Sequence, residues 1–532
     1  MSMENEKYVL ALDIGTSSTR SALVTTRGKI VDMESEENRL VLFADGGAEQ
    51  DPDQWWRAIE KTCKRLLAKK LVFVDDIIAV SCTGQWSGTV AVGKDERPLM
   101  NAIIWMDSRG RRYLNDIVDG WIRIRGYGAL KLLRWLRLTG GAPGHSGKDP
   151  ISHILYIKNA HPEVYGKTYK FLEPKDYINL RFTGRCAASF DSIALHWLTD
   201  NRKISNVVYD PGLIDISTID QAKLPELKRA IDVLGPIRKA TAEELGLNED
   251  VRVIVGTPDV QSAAVGSGAV RDFEPHLHLG TSSWLTCHVP FKKTDIRGNI
   301  AALPSAIPMR YFVANEQETA GACLTFLKNN VYCAGERSTD TQQTDMWAVL
   351  DEIAKDVPAG SNKVIFTPWL YGERTPVEDA FVRACFFNQS LQTTREDLIR
   401  SVYEGVAYNS RWLLQRVERF VKKRLDDIHM IGGGAKSNVW CQIYADVLDR
   451  TIQQVRKPAQ ANLRGAGFLA SIALGYLKLS DVPELIEIAE TFRPSSENRK
   501  IYDELFARFK ELYVSNKAIY ERLNKGVMVE PA

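Results

Sequence analysis

The chain has 532 residues, more than one hydrophobic core supports, and two units of roughly 250 residues each are expected. A composition 44% hydrophobic and 26% charged is that of an ordinary globular protein and excludes a low-complexity or fibrous chain. With 69 basic and 67 acidic side chains the net charge is +2, which gives no global reason to bind nucleic acid or a membrane surface.

No apolar run reaches the roughly eighteen residues of a spanning helix. The polar stretch Met1 to Lys7 lacks a signal-peptide pattern. Cys63, Cys82, Cys186, Cys287, Cys323, Cys333, Cys385 and Cys441 are scattered without a CxxC pair. They read as buried, reduced thiols of a cytoplasmic protein.

Tyr8 to Leu12 reads as a buried strand, Ser21 to Val24 as its hairpin partner, and Lys29 to Val31 as a third strand. Asp51-Pro52-Asp53 opens an amphipathic helix over Gln54 to Lys69, with proline in its first turn. Asp76 to Cys82 and Val251 to Val255 are further strands, so the first half alternates strands and helices in α/β layers. A boundary is expected near Gly268 to Glu274, dividing the chain into residues 1–270 and 271–532. Beyond it, His276 to Leu279, Lys363 to Phe366 and His429 to Ile431 read as strands. Thr394 to Phe420, Asn438 to Leu448, Leu463 to Leu477 and Asn498 to Asn524 read as helices.

The first strand of each half runs into the same kind of turn. Asp13-Ile14-Gly15-Thr16-Ser17-Ser18 follows one and Leu279-Gly280-Thr281-Ser282-Ser283 the other. Glycine permits the tight turn, and exposed N–H groups and hydroxyls there can hold phosphate oxygens. With the triplet Gly432-Gly433-Gly434 after a third strand, these turns suggest a duplicated scaffold that grips one nucleotide from both sides.

These motifs, together with others, resemble the FGGY carbohydrate kinases, and among them the xylulose-phosphorylating members. The resemblance runs from Tyr8 to about Leu523 and rests on an ordered set. Besides the two turns and the triplet it includes Glu49-Gln50-Asp51-Pro52, Thr83-Gly84-Gln85, Trp105-Met106-Asp107-Ser108-Arg109, Pro174-Lys175-Asp176-Tyr177, Asp259 and Gly372-Glu373-Arg374-Thr375-Pro376. It implies an actin-like ATPase fold in which two ribonuclease H-like domains flank a central cleft. It also implies transfer of the γ-phosphoryl group of ATP, with Mg²⁺, to a sugar hydroxyl. The chain departs from the family where His153 and Tyr156 stand for Lys and Trp and Trp86-Ser87 for the Met-His of xylulose-phosphorylating members, and also at Phe386-Phe387-Asn388 and Asn462 to Gly467, which bears on the sugar and on the nucleotide pocket.

The resemblance makes Asp259 the proton acceptor; on residue type alone it could equally cap the helix that follows. Asp13 would order Mg²⁺ or its waters, with Asp259 beside it, although an Asx turn explains an aspartate before glycine. Gly15, Thr16, Ser17, Ser18 and Arg20 would meet the ATP phosphates from one side and Gly280 and Thr281 from the other. Arg20 could instead be a surface residue. Gly433, Gly434 and Asn438 would form the adenosine pocket, with Gly321 and Thr325 near it; helix packing accounts for Gly321 as well. Gln85, Trp86, Ser87 and Asp107 are the sugar-side candidates, with Trp86 either a stacking face or core and Arg109 a salt-bridge partner of Asp107. A ribulose, gluconate or glycerol-like substrate, and a non-catalytic nucleotide sensor, are the alternatives.

Trp121 to Leu138 interleaves Arg123, Arg125, Lys131, Arg134 and Arg137 with aromatic and leucine residues. Lys131, Arg134 and Arg137 recur at helical spacing, which suggests a cationic amphipathic helix. It is a solvated face or a contact for a membrane surface, an acidic partner or a second subunit in a homodimer.

Overall fold

The computed structural model describes residues 6–296, 298–332 and 345–525. Its first layer is built from β1 (Tyr8–Ile14), β2 (Ser18–Thr25), β3 (Ile30–Glu37), α1 (Pro52–Ala68), β4 (Ile77–Gly84), α2 (Ala129–Leu138), α3 (Pro150–Ala160), α4 (Pro174–Thr183), β5 (Val233–Pro236), β6 (Arg252–Pro258) and α5 (Asp259–Ser267). The six strands form one sheet in the order β5-β6-β4-β1-β2-β3. β1, β4 and β6 run parallel, so their carboxyl ends share one edge, with Asp13 opposite Thr83 and Gly84 opposite Pro258. Open α/β sheets bind ligands at that edge. The α1 start is as the sequence predicts: Pro52 fills the first position and the Asp51 carboxylate accepts from the Asp53 N–H at 2.9 Å.

The second layer repeats the plan with β7 (His276–Leu279), β8 (Ser283–Thr286), α6 (Gly321–Leu327), α7 (Arg395–Val421), β9 (Ile428–Ile431), α8 (Asn438–Leu448), β10 (Ile452–Val455), α9 (Ala461–Ala473), β11 (Ile488–Phe492) and α10 (Arg499–Asn524). Its sheet order is β8-β7-β9-β10-β11, again with an antiparallel hairpin followed by two parallel neighbours. Thr394 and Asp397 close a reciprocal cap at the start of α7, which carries much of the second core.

α9 does not stay with the second layer. It packs on α5 and on β1, β4 and β6. The crossing is close because both helices present glycine: a Cβ on Gly465 would lie 1.9 Å from the Ser262 carbonyl oxygen, and one on Gly266 would lie 1.9 Å from that of Ala461. α9 ends at Ala473, short of the expected Leu477, because Gly475 takes a left-handed φ of 80°.

The helix expected from Lys131, Arg134 and Arg137 is present as Ala129–Leu138, while Arg123–Ile124 and Tyr127–Gly128 ahead of it form a hairpin. Arg125 and Gly126, both at positive φ, make the turn. Trp121, Ile122, Ile124, Leu130 and Leu133 are exposed there. The cysteines, expected to be buried, are not uniformly so. Cys63, Cys82, Cys287, Cys323 and Cys441 are, Cys186 and Cys385 are partly exposed, and Cys333 lies outside the described residues.

The α5–α9 crossing makes a stability prediction. Gly465→Ala forces the helices apart and should cost about 1–3 kcal/mol, the usual range for overpacking. Gly166→Ala, with open space around it, should leave the melting temperature unchanged. Equal melting temperatures for the two variants would show that the crossing tolerates a methyl group.

Candidate active site

Asp13 closes β1 with its side chain facing the cleft edge. It is only 3% exposed, and its Oδ1 has no hydrogen-bond partner. Oδ2 accepts from Asn462 Nδ2 at 3.4 Å and lies 3.9 Å from Arg20 Nη1. Burial pushes the Asp13 carboxyl up, against the pull of Arg20 and Asn462.

Asp259 is the first residue of α5, directly beyond β6. Its Oδ1 accepts from the Val260 N–H at 2.8 Å, so it stabilises the helix start and faces the cleft as well. Its carboxyl is raised to about 8, first by burial, then by the negative charge of Asp13; the N–H groups of Val260 and Trp86 pull the other way. The two carboxylates therefore share one site, and like charges in a poorly solvated place oppose each other's ionisation.

The first glycine turn is braced from behind. Gly15 N–H donates to the Ser18 carbonyl at 2.9 Å, and the Gly15 carbonyl accepts from Asn38 Nδ2 at 2.7 Å. The Thr16 hydroxyl accepts from Trp105 Nε1 at 2.9 Å, and the Thr16 carbonyl from Gln50 Nε2 at 2.7 Å. Ser17 is exposed and Ser18 and Arg20 are partly so, with Arg20 Nε donating to Ser18 Oγ at 3.2 Å. Ser17, Ser18 and Arg20 are thus the members of this turn that a phosphate can reach.

Opposite, the second turn is docked onto the start of α6. Gly321 N–H donates to the Gly280 carbonyl at 2.8 Å, and a Cβ on Gly321 would sit 2.6 Å from that oxygen. Gly321 therefore sets how closely α6 approaches the turn, which leaves Thr281 and Thr325 exposed. Gly433 is exposed with open space around it, next to partly buried Gly434. Asn438, at the start of α8, is exposed and bonded to Glu490 and Gln454. The stretch from Pro458 to Asn462 joins the halves: the Pro458 carbonyl accepts from Gly432 N–H at 3.2 Å, while Asn462 reaches Asp13.

The sugar-side candidates are held more by the protein than their residue types suggest. Gln85 Nε2 donates to Gln50 Oε1 at 2.7 Å. Trp86 directs its indole N–H to the Ser192 carbonyl at 2.9 Å and packs on a core cluster. Ser87, at a φ of 68°, donates its hydroxyl to the Lys148 carbonyl at 2.8 Å and its N–H to Glu173 at 3.2 Å. Asp107 is fully buried, accepting from Ala48 N–H and from Arg109 Nε, each at 2.9 Å. Arg109, also 2.6 Å from Glu49, is its ion-pair partner. The 84–88 turn thus offers Asp259 a backbone N–H, while its side chains anchor the turn.

Sequence reasoning gave no role to Glu316, Glu318 or Lys148. Glu318 lies 2.7 Å from Arg374 Nη2, and Glu316 pairs with Arg374 Nη1. Ser282 of the second turn bonds to Glu316, whose charge also raises the Asp259 carboxyl. Two acids spaced i, i+2 on an extended segment point to one face, which was the available signal.

The family's N-terminal domain matches residues 8–266 and its C-terminal domain residues 277–474. The chain belongs to the FGGY family of carbohydrate kinases. It is 28% identical over 517 residues to a xylulose kinase of Staphylococcus epidermidis, covering 97% of this chain and 98% of that protein. It is 24% identical over 503 residues to a gluconokinase of Bacillus licheniformis, covering 94% of each. Among solved structures, a gluconate kinase and a ligand-bound xylulose kinase, both from Lactobacillus acidophilus, each superpose with a TM-score of 0.85 at 25% identity. They cover 98% and 97% of this chain and all of theirs. The fold is the actin-like ATPase fold of this family.

Asp259 carries a pH-dependent stability signature. The folded chain holds its proton up to about pH 8, whereas the unfolded chain loses it in the ordinary carboxylate range. Stability therefore falls as pH rises between those two values, and the penalty is complete above the upper one. Asparagine removes the penalty. The gain in melting temperature for Asp259→Asn over wild type should be larger near about pH 8.5 than near about pH 5. An equal gain at both would show that the fold does not hold this carboxyl protonated.

Proposed function

We propose that this FGGY kinase transfers the γ-phosphoryl group of ATP to a hydroxyl of a pentulose, D-xylulose being the first choice. The observation that carries the reading is the meeting of two carboxylates, the buried Asp13 and the half-buried Asp259, at the strand edge beyond the first glycine turn. Such a pair suits a reaction that needs one carboxyl to take a proton and another to hold cationic charge near phosphates. The similarity to xylulose kinases over nearly the whole chain supports the sugar.

Asp259, in its ionised carboxylate form, accepts the hydroxyl proton as the sugar oxygen bonds to the γ-phosphorus and the bond to the ADP oxygen breaks. Ser17, Ser18 and Arg20, with Gly280 and Thr281 opposite, orient the phosphates and meet their charge. Gly433, Gly434 and Asn438 take the nucleoside end, where Gly433 leaves room for a flat base. Gly321 and Thr325 border that end. Gln85, Trp86, Ser87 and Asp107 shape the sugar end through the braced 84–88 turn.

The partnerless buried Oδ1 of Asp13 fits a magnesium ion that keeps most of its waters. Among the described residues no three acidic, histidine or cysteine side chains are grouped to cage a metal, which suits Mg²⁺ shared with substrate phosphates. Magnesium held through Asp13, beside Asp259, would supply positive charge to the phosphates and to the carboxylate pair. No described helix is long and apolar enough to cross a membrane. Seven unpaired cysteines among the described residues support a reducing, cytoplasmic setting.

Gluconate is the second reading, favoured by the gluconokinase and gluconate kinase relatives. The balance of charge weighs against it: Asp13, Asp259, Glu316 and Glu318 outnumber Arg374 and Lys148, and Arg374 is already paired with the two glutamates.

Coupled ADP release over D-xylulose, D-ribulose, D-gluconate and glycerol should give the largest kcat/KM with D-xylulose. A preference for gluconate would replace the pentulose reading. Asp259→Asn should lower kcat by about 10²–10⁴, the usual worth of a general base, with ATP binding retained. A kcat within about threefold of wild type would remove Asp259 from that role.

A further inference from the structure

Lys148 is a buried cation that the scheme above does not use. Its backbone carbonyl receives the Ser87 hydroxyl at 2.8 Å, so its position is tied to the turn that presents the Trp86 N–H to Asp259. Its side chain is 15% exposed, and Nζ lies 4.0 Å from Glu318 Oε1, in the other half of the chain. The ammonium sits over the Tyr371 ring, 5.3 Å from its centre. Among the described residues it donates no hydrogen bond, so three N–H donors at the cleft are uncommitted.

Burial pulls the Lys148 pKa below the ordinary lysine value and Arg374 adds to the pull, while Glu318 and Glu316 oppose it. Glu316 also acts on Asp259, which puts Lys148 and the proposed base in the field of the same carboxylate. His153, where the family has its lysine, does not present a cationic donor: it is fully buried, its Nδ1 is bonded to the Thr89 hydroxyl, and burial lowers its pKa to about 4. The neighbouring side chains of Ser87, Trp86 and Asp107 are bonded inside the protein.

Resting on the sugar-kinase reading, we propose that Lys148 is a substrate-contacting residue whose ammonium donates hydrogen bonds to hydroxyl oxygens of the bound sugar. The sugar hydroxyls satisfy donors that the protein leaves open, and the Glu318 contact holds the lysine in place from across the cleft. A site built to donate to a substrate oxygen loses much of its affinity when that donor is removed.

The test uses the full chain, ATP and the sugar that wild type turns over fastest among D-xylulose, D-ribulose, D-gluconate and glycerol. Lys148→Met keeps the length and removes the donors; Lys148→Gln replaces it if the methionine variant does not fold. The sugar KM should rise at least about tenfold, with the ATP KM unchanged. The same weakening should appear in sugar-induced quenching of tryptophan fluorescence without ATP. A sugar KM within about twofold of wild type overturns the inference. So does an equal rise in both KM values, which would make Lys148 a cleft contact only. A loss confined to kcat overturns it by assigning the ammonium to the transferred phosphoryl group. Wild type that phosphorylates none of the four sugars would instead sink the substrate reading on which the inference rests.

Discussion

Two carboxylates in one poorly solvated cleft are the constraint around which this protein is arranged. Burial raises the proton affinity of both Asp13 and Asp259, and the charge of Asp13 raises that of Asp259 further. That arrangement costs stability and persists only because the fold fixes both residues. Asp13 is part of β1, and Asp259 is the first helical residue after β6. Both strands neighbour β4, so neither carboxylate can retreat without disturbing a parallel sheet. The compensating groups are few: Arg20 at 3.9 Å, Asn462 at 3.4 Å, and the N–H groups of Val260 and Trp86. None neutralises the pair, so the site keeps an unmet demand for positive charge, which a metal–nucleotide complex would meet.

The second half of the chain takes part in this by more than facing the first. α9 leaves the second sheet, crosses α5 at glycine-to-carbonyl distance and covers β1, β4 and β6. Asn462, near its start, reaches Asp13, and the Asn462 carbonyl accepts from the Ser262 hydroxyl of α5 at 2.7 Å. One helix thus touches both carboxylate-bearing elements. A shift of α9 would move the surroundings of Asp13 and the axis of α5 together, which gives a physical route for coupling the proposed nucleotide site near Gly432 to the state of the proposed base. The Gly432–Pro458 hydrogen bond begins that route.

The scaffold was largely legible in the sequence. Strands such as Tyr8–Ile14 and Ile428–Ile431 are short apolar runs ending in glycine turns, and helices such as Pro52–Ala68 and Arg395–Val421 announce themselves by caps. These are local signals, encoded within a few residues. What escaped is set by distant partners. Trp121 to Gly128 carries helix-compatible residues, but positive φ at Arg125 and Gly126 turns it into a hairpin. Trp86 and Ser87 look like sugar ligands by position; their polar atoms go instead to Ser192, Lys148 and Glu173, each more than sixty residues along the chain. The pairing of Arg374 with Glu316 and Glu318 likewise spans more than fifty residues.

That pattern bears on how specificity arises in such a cleft. A side chain is free to read a substrate only if the protein leaves its polar atoms unspent, because a donor already bonded internally gains little by exchanging partners. Gln85, Trp86, Ser87 and Asp107 are spent in this sense, and so the 84–88 turn contributes shape and a backbone N–H more than side-chain recognition. Discrimination then passes to groups with open valences at the same cleft. Asp259 retains acceptor capacity beyond its bond to Val260, and Lys148 retains donors. An acceptor and a donor flanking a narrow turn match the alternating hydroxyls of a polyol chain, each of which both donates and accepts. In the proposed sugar site, Trp-Ser in place of Met-His therefore changes the walls and leaves the hydrogen-bonding ends to residues outside that motif.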